Sequence, residues 1–360
     1  MFNVNELVRP PTGFKSFLST IYRHPPSGRL VKRYFHEDKY GGKVRLSDAE
    51  ERRRIITHEV RTDGSLAPAL QAFMAQLLFD GQQDDVVVMN ELPTESNMLQ
   101  MVSSDTDRIT HYVAAADRIL GWQFGDQLQR PIHVSDTGLS DHCETLLNGE
   151  LEIAVGQHSD ILQAGQTVDT RNDVVDRIIR VGLSVIEQNR HDLDGFNNLT
   201  GEIVEGHSDL RPPNIFILPD PDGVQIIDPA PNKDWIILPR LTDARFFYWD
   251  TLLGRRPQGA RVFWQRYLEG YLKGINNGRS LSDESNNKAL QALITFSDVY
   301  WLMVEKKLAL GQQLRVLDGT DKFSTEEEAQ QVLREADLKE EVVVRLLNSL
   351  ASRMKVRKML

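Results

Sequence analysis

Cysteine is nearly absent: Cys143 is the only one in 360 residues, so no internal disulfide can form, and a lone thiol fits a reducing compartment. No apolar run approaches the roughly 18 residues that read as a membrane-spanning helix, so no stable membrane insertion is expected. The opening MFNVNELVRPPTGF also lacks an apolar stretch of signal-peptide length, which makes the cytoplasm the expected address. Positive charge is short as well, with a formal net charge of −10 and a pI of about 5.5. A nucleic-acid surface needs the opposite sign to neutralise phosphates, so no nucleic-acid partner is expected. The acidic balance suits a cationic substrate, although solubility explains it more simply. Internal repeats and low-complexity tracts are missing too.

What is present is ordinary globular composition, 40% hydrophobic and 26% charged, in a chain long enough for two structural units with their own cores. The first ninety residues read as short strands around one helix. LVRP, LSTIYR (18–23) and RLVKRYF (29–35) are β-prone runs separated by the turn formers PPTGFKS and HPPSG. A helix is predicted from about Ser47, where Ser47 and Glu50 have capping-box spacing. AQLLFD (75–80) and DVVVMNEL (85–92) then form a predicted hairpin around GQQD. From about Asn97 the pattern turns mostly helical. In 171–191, Val174, Val175, Ile178, Ile179, Leu183 and Ile186 fall near one helical face. Short apolar runs follow around EIVEGHSDL, NIFIL and VQIID. Helices are predicted again at about 242–253, 260–275 and 287–309. A last long one begins near Thr325, capped by Ser324 with Glu327 or by Thr325 with Glu328.

The densest chemistry lies in 206–231, GHSDLRPPNIFILPDPDGVQIIDPAP. Asp209 and Asn214 flank a loop that Pro212 and Pro213 stiffen. Asp228 ends the strand VQII, and the turn PDPDG folds that strand back on NIFIL, which brings Asp228 toward Asn214. Each residue alone is commonest as a turn former. Together they suit phosphoryl transfer, in which Mg²⁺ neutralises charge on the transferred group. Asn214 and Asp228 offer the oxygens that Mg²⁺ prefers, and Asp209 can accept or orient an acceptor hydroxyl's proton.

This stretch resembles the catalytic and metal-binding loops of the aminoglycoside phosphotransferase and choline kinase-like branch of the protein kinase-like fold. His207-Ser208-Asp209 stands where protein kinases carry H-R-D, and Asn214 follows with D-x-x-x-x-N spacing. Ile227-Asp228-Pro229 stands at the D-F-G position, and Asp228-Pro229-Ala230 is similar to fructosamine kinases. Arg211 occupies a position where relatives often carry histidine, tryptophan or lysine. By this resemblance Asp209 is the catalytic base, and Asn214 and Asp228 are the metal ligands, with ATP and Mg²⁺ as cofactors. His207 would brace the loop. Lys32 resembles the third-strand lysine that holds the α- and β-phosphates. Glu59 is its candidate helix partner, with Glu50 and Glu51 as competitors. The phosphate loop would lie around Gly13 to Ser16, although it has one glycine and no G-x-G-x-x-G. VVVMNELP is similar to the fifth strand and hinge, with Met89 as gatekeeper and Asn90, Glu91 and Leu92 presenting backbone groups to adenine.

The fold implied is α+β and bilobal, with a small β-rich N-terminal lobe and a larger, mainly helical C-terminal lobe. Residues 1–92 would form the nucleotide-binding lobe, 93–310 the catalytic and acceptor-binding lobe, and 311–360 a C-terminal helical extension. The activity implied is transfer of the ATP γ-phosphate to a hydroxyl of a small molecule: a sugar, amino sugar, aminoglycoside or amino alcohol. Two alternatives stand beside it. One is a kinase acting on a protein or other macromolecule, which the missing A-P-E element and the short segment after Asp228 disfavour. The other is a non-catalytic pseudokinase, which has no need for Lys32, Asp209, Asn214 and Asp228 together. The aromatic run Phe246 to Trp249 reads first as core, and Asp243 as a helix cap or loop support. The C-terminal helix leaves room for a protein partner or a second copy.

Overall fold

A computed structural model describes residues 8, 19–34, 56, 86–99, 109–124, 138–163, 172–219, 223–227, 237–276, 284–317 and 326–359. The chain divides into two compact units. One comprises Met1–Arg130, Glu205–Ile237 and Phe247–Gly274; the other comprises Pro131–Val204, Leu238–Phe246 and Ile275–Leu360.

In the first unit, strands β1 (Ser19–His24), β2 (Arg29–Tyr34) and β3 (Val86–Met89) form an antiparallel sheet with β2 in the middle. The predicted turn HPPSG joins β1 to β2. The His24 carbonyl accepts from the Ser27 and Gly28 amides at 3.1 and 3.0 Å. Gly28 sits at φ 64°, a conformation glycine reaches without steric cost. Leu30, Val31, Lys32, Val87, Val88 and Met89 are all buried, so the strands carry continuous rather than alternating buried positions. Val8, in the run LVRP, exchanges both backbone hydrogen bonds with Arg23. The predicted helix near Ser47 and the strand 75–80 lie outside the described residues.

The same unit contains α1 (Ile109–Phe124), and the hairpin of β5 (Ile215–Ile217) and β6 (Val224–Ile226). It also holds most of α5 (Pro257–Asn276). The β5–β6 pair is antiparallel, in the register Ile215↔Ile226. This is the hairpin that PDPDG predicts. On α5, Phe263, Tyr267 and Tyr271 stack in succession at 6.1 Å, one helical turn apart. Gly259 on the same helix lets the Tyr112 ring approach: a Cβ there would lie 2.3 Å from a ring carbon.

The second unit is helical. It contains α2 (Leu139–Gln163), α3 (Asn172–Thr200), α6 (Glu284–Leu317) and α7 (Glu326–Met359), and α6 packs against the other three. The stripe predicted on α3 is used: Val175, Ile178, Ile179 and Ile186 are buried. Asp194 of α3 caps the start of α2, accepting from the Ser140 amide at 2.9 Å and the Ser140 hydroxyl at 3.0 Å. Cys143 is fully buried. Burial pushes its thiol well above the usual range, with the Glu202 and Asp194 carboxylates adding to the effect. On α7, Ala336, Val343, Leu347 and Leu350 are buried, so the helix expected to leave room for a partner or a second copy is packed along its apolar face.

Besides α5, three elements take residues from both units. β4 (Ile203–Glu205) pairs with β7 (Ile237–Pro239), and α4 (Arg240–Leu253) follows directly. Asp243 is buried in the first turn of α4. Among the described residues no helix is long and apolar enough to cross a membrane.

Candidate active site

The loop between β4 and β5 is built by two prolines and an asparagine. Pro212 forces the preceding Arg211 into an extended conformation, φ −133°, ψ 158°. Pro212 to Asn214 then close a single 3₁₀ turn, for which proline presets φ. The Asn214 amide donates to the Arg211 carbonyl at 2.9 Å. Leu210 is buried and anchors the loop, while Ser208 takes φ 63°, a left-handed conformation uncommon outside glycine.

Side chains then lock the loop onto the hairpin. Asn214 Nδ2 donates to the Asp209 carbonyl at 2.8 Å and to Asp209 Oδ2 at 3.1 Å. Both of those atoms can only accept, so the atom facing them must be the amide nitrogen. Asn214 Oδ1 is therefore the atom left to offer lone pairs to a cation. The Asn214 carbonyl accepts from the Ile227 amide at 2.9 Å. The Ile227 carbonyl lies 2.8 Å from His207 Nε2, which must carry the proton to bond it. His207 is buried, with the Trp122 ring edge-on at 6.4 Å. Ile227 is thus held from both sides, one residue before Asp228. Asp228 itself lies outside the described residues.

Asp209 keeps 39% of its side chain exposed and accepts from Arg211 Nε at 2.6 Å. Arg211 also reaches Asp250 Oδ2 of α4 at 3.2 Å. Asp250 is a residue that sequence reasoning missed, because an aspartate in a helix far along the chain carries no motif. Asn97 was missed too, having been read only as the point where the pattern turns helical. Its Nδ2 donates to the Pro213 carbonyl at 2.6 Å, and its backbone bridges to Phe216.

Of the predicted nucleotide residues, Lys32 and Met89 belong to the β1–β3 sheet. Lys32 stands opposite Val87 on the central strand and is 1% exposed. A buried ammonium is costly unless it meets an anionic or polar partner. Met89 is buried at the end of β3, and Asn90, Glu91 and Leu92 follow as irregular backbone. The Glu91 side chain pairs with Arg23. Gly13, Ser16 and Glu59 lie outside the described residues, as do the competitors Glu50 and Glu51.

The aromatic run divides. Phe246 and Phe247 are buried, as the core reading expects, while Tyr248 and Trp249 keep partial exposure. Tyr248 lies 5.1 Å from Trp249 and 6.1 Å from Trp264, and Asp250 comes next in the chain. The described residues contain no cluster of three or more His, Cys, Asp or Glu side chains suited to a metal ion.

No family model matches the chain, and no curated protein matches it. Among solved structures it is similar to a choline kinase from Cryptosporidium parvum Iowa II, at 12% identity and a TM-score of 0.50, covering 98% of this chain and 94% of that one. A choline/ethanolamine kinase family protein from Mesorhizobium loti matches at 10% identity and a TM-score of 0.45, covering 96% and 92%. Plasmodium vivax ethanolamine kinase matches at 11% and 0.42, covering 93% and 83%. The fructosamine-kinase likeness of Asp228-Pro229-Ala230 finds no counterpart among these three. At this identity the first of them is a likeness of fold: the chain has an α+β, helix-dominated fold shared with a choline kinase.

Proposed function

We propose that this protein is an ATP- and Mg²⁺-dependent phosphotransferase whose acceptor is the hydroxyl of a small amino alcohol. The observation that carries the proposal is the interlocked loop. Asp209 is half-exposed, Asn214 is oriented by two bonds to it, and Ile227 is pinned by Asn214 and His207 next to Asp228.

Asn214 Oδ1 and Asp228 would hold Mg²⁺, which when bound supplies charge neutralisation for the transferred phosphoryl. Asp209 orients the acceptor hydroxyl and takes its proton as the bond to phosphorus forms. Lys32 holds phosphate oxygens from the floor of the sheet. Met89 to Leu92 present backbone to the adenine. The prolines and the 3₁₀ turn supply preorganisation, which matters because positioning carries most of the catalysis in this chemistry. One solved structure of similar fold is a choline kinase. The half-exposed faces of Tyr248, Trp249 and Trp264 offer cation–π contacts to an ammonium group. A cytoplasmic address, where ATP and Mg²⁺ are plentiful, goes with this reading.

The test is ADP release with Mg-ATP against choline, ethanolamine, amino sugars, aminoglycosides, ketosamines and generic protein acceptors. Turnover is expected with the amino alcohols. Turnover confined to sugars or aminoglycosides would move the acceptor class and keep the chemistry. Tight Mg-ATP binding without turnover on any acceptor would favour a pseudokinase. Loss of nucleotide binding as well would remove the reading.

A further inference from the structure

We infer that Asp250 is a positioning residue: through Arg211 it sets the orientation of the Asp209 carboxylate. The inference rests on the phosphotransferase reading, since it assigns a role in that reaction.

Asp209 sits in a loop with no helix or sheet of its own to fix its side chain. Arg211 is two residues on, held extended by Pro212, and its Nε donates to Asp209 Oδ1 at 2.6 Å. The other end of the same planar group, Nη1, meets Asp250 Oδ2 at 3.2 Å. Asp250 lies in α4, whose end is closed by the Gly254 amide on the Asp250 carbonyl at 2.9 Å. A guanidinium is rigid and planar, so fixing one nitrogen fixes the direction in which the others donate. Asp250 thereby transmits the rigidity of a helix to a loop carboxylate. The exposures run the same way: Arg211 and Asp250 are 16% and 14% exposed, and Asp209 is open at 39%. The supporting pair is shielded from water, while the carboxylate that must meet a substrate is not. Two paired acids flanking one arginine could instead be a fold-stabilising triad, and that reading predicts stability losses without a selective loss of turnover.

The experiment compares Asp250→Asn, Asp250→Glu, Arg211→Lys, Arg211→Ala and the Asp250→Asn/Arg211→Ala pair with the unmodified protein. The readouts are kcat and KM for ATP and the amino alcohol, together with crystal structures of Asp250→Asn and the unmodified protein. Misplacing a reacting group by about 1 Å can slow a reaction about 100-fold, so Asp250→Asn and Arg211→Ala should each lower kcat roughly 10- to 100-fold with little change in KM. The pair should be no slower than Arg211→Ala alone, because Asp250 acts only through Arg211. Asp250→Glu should recover most of the loss. Multiplicative losses, or losses confined to KM, would overturn the inference. The crystallographic arm does not depend on turnover. A shift of the Asp209 carboxylate by about 1 Å in Asp250→Asn supports the linkage, and unmoved Asp209 and Arg211 side chains overturn it. If the unmodified protein turns over no acceptor, the phosphotransferase reading fails, and the crystal comparison still decides whether Asp250 holds Asp209.

Discussion

The loop around Asp209 and the helices around Glu150 both pair acids with bases, but they treat water in opposite ways. Asp209 meets Arg211 with 39% of its side chain exposed. Glu150 meets Lys307 at 2.7 Å and the Tyr300 hydroxyl at 3.4 Å with none exposed. Arg245 with Asp298 at 2.6 Å, and Lys306 with Glu340, are similarly sealed within the helical unit. Buried pairs of this kind gain little net stability, because desolvation offsets attraction. Breaking one, however, strands a charge in an apolar setting. Lys306 and its neighbour Glu305 face Glu340 and Lys339 of α7. This reciprocal pattern disfavours sliding one helix along the other. The contrast is one of exposure: sealed pairs fix how helices pack, and a half-open pair keeps a carboxylate in contact with solvent.

The largest expected effect tests the open side. Asp209→Asn should lower kcat about 10²- to 10⁴-fold, the usual worth of a positioned acid–base group, while Mg-ATP binding survives. Its unfolding midpoint in urea should barely move. A variant that unfolds early and turns over normally would show that Asp209 belongs with the sealed pairs.

The next effect tests the sealed side. Lys307→Met should cost about 3 kcal/mol by urea unfolding, because it leaves Glu150 buried with its cation removed. The sign of the pH dependence follows from the burial. Burial already pushes the Glu150 carboxyl up, and Lys307, then Tyr300, oppose it. A carboxyl with a raised folded-state pKa favours folding while protonated. That contribution is complete below its ordinary value of about 4.3 and is lost as pH rises through the raised value. Removing Lys307 removes the main opposing influence, so the loss between pH 4 and pH 8 should be steeper than in the unmodified protein. An equal slope in both proteins would mean that Lys307 does not control Glu150. A smaller effect in the same unit comes from Gly138→Ala, whose Cβ would lie 2.3 Å from an Asp194 oxygen. Displacing that carboxylate from the start of α2 should cost about 1 kcal/mol, the worth of one helix cap, with turnover unchanged.

The two regions were also unequally legible. The loop could be read because its chemistry is local. Asp209 and Asn214 have a fixed spacing, two prolines stiffen the turn, and PDPDG announces the β5–β6 hairpin that carries Ile227 back to Asn214. The helices could be placed from apolar period, although α3 and α6 run on past the predicted ends at His191 and Ala309, to Thr200 and Leu317. Their ion pairs could not be read. Glu150, Lys307 and Asp298 look like ordinary solvated helix charges until long-range packing encloses them. Asp250 was hidden for the same reason, and Tyr248 and Trp249 shared one run with Phe246 and Phe247 although burial separates them.

Backbone strain repeats the contrast and yields the smallest test. Among the described residues the non-glycine residues at positive φ are Ser208 and Arg255, and both belong to the first unit. Arg255 ends α4 with two bonds: its amide donates to the Leu252 carbonyl at 3.0 Å, and the Arg256 amide donates to Thr251 at 3.2 Å. That pattern is a Schellman cap, and its left-handed position, held here by Arg255 at φ 60°, is where glycine is favoured. Gly254 sits one residue too early to serve. The left-handed conformation costs a non-glycine residue about 1–2 kcal/mol, and glycine's extra freedom in the unfolded chain returns about 0.4–1 kcal/mol of that. Arg255→Gly should therefore stabilise the protein by about 0.5 kcal/mol, read as a raised urea midpoint at unchanged slope. It should leave kcat alone, since the cap lies beyond Asp250 on the helix. A drop in kcat would mean that the end of α4 tunes Asp250, and through Arg211 the loop, so that strain in this unit acts on the carboxylate instead of merely being tolerated beside it.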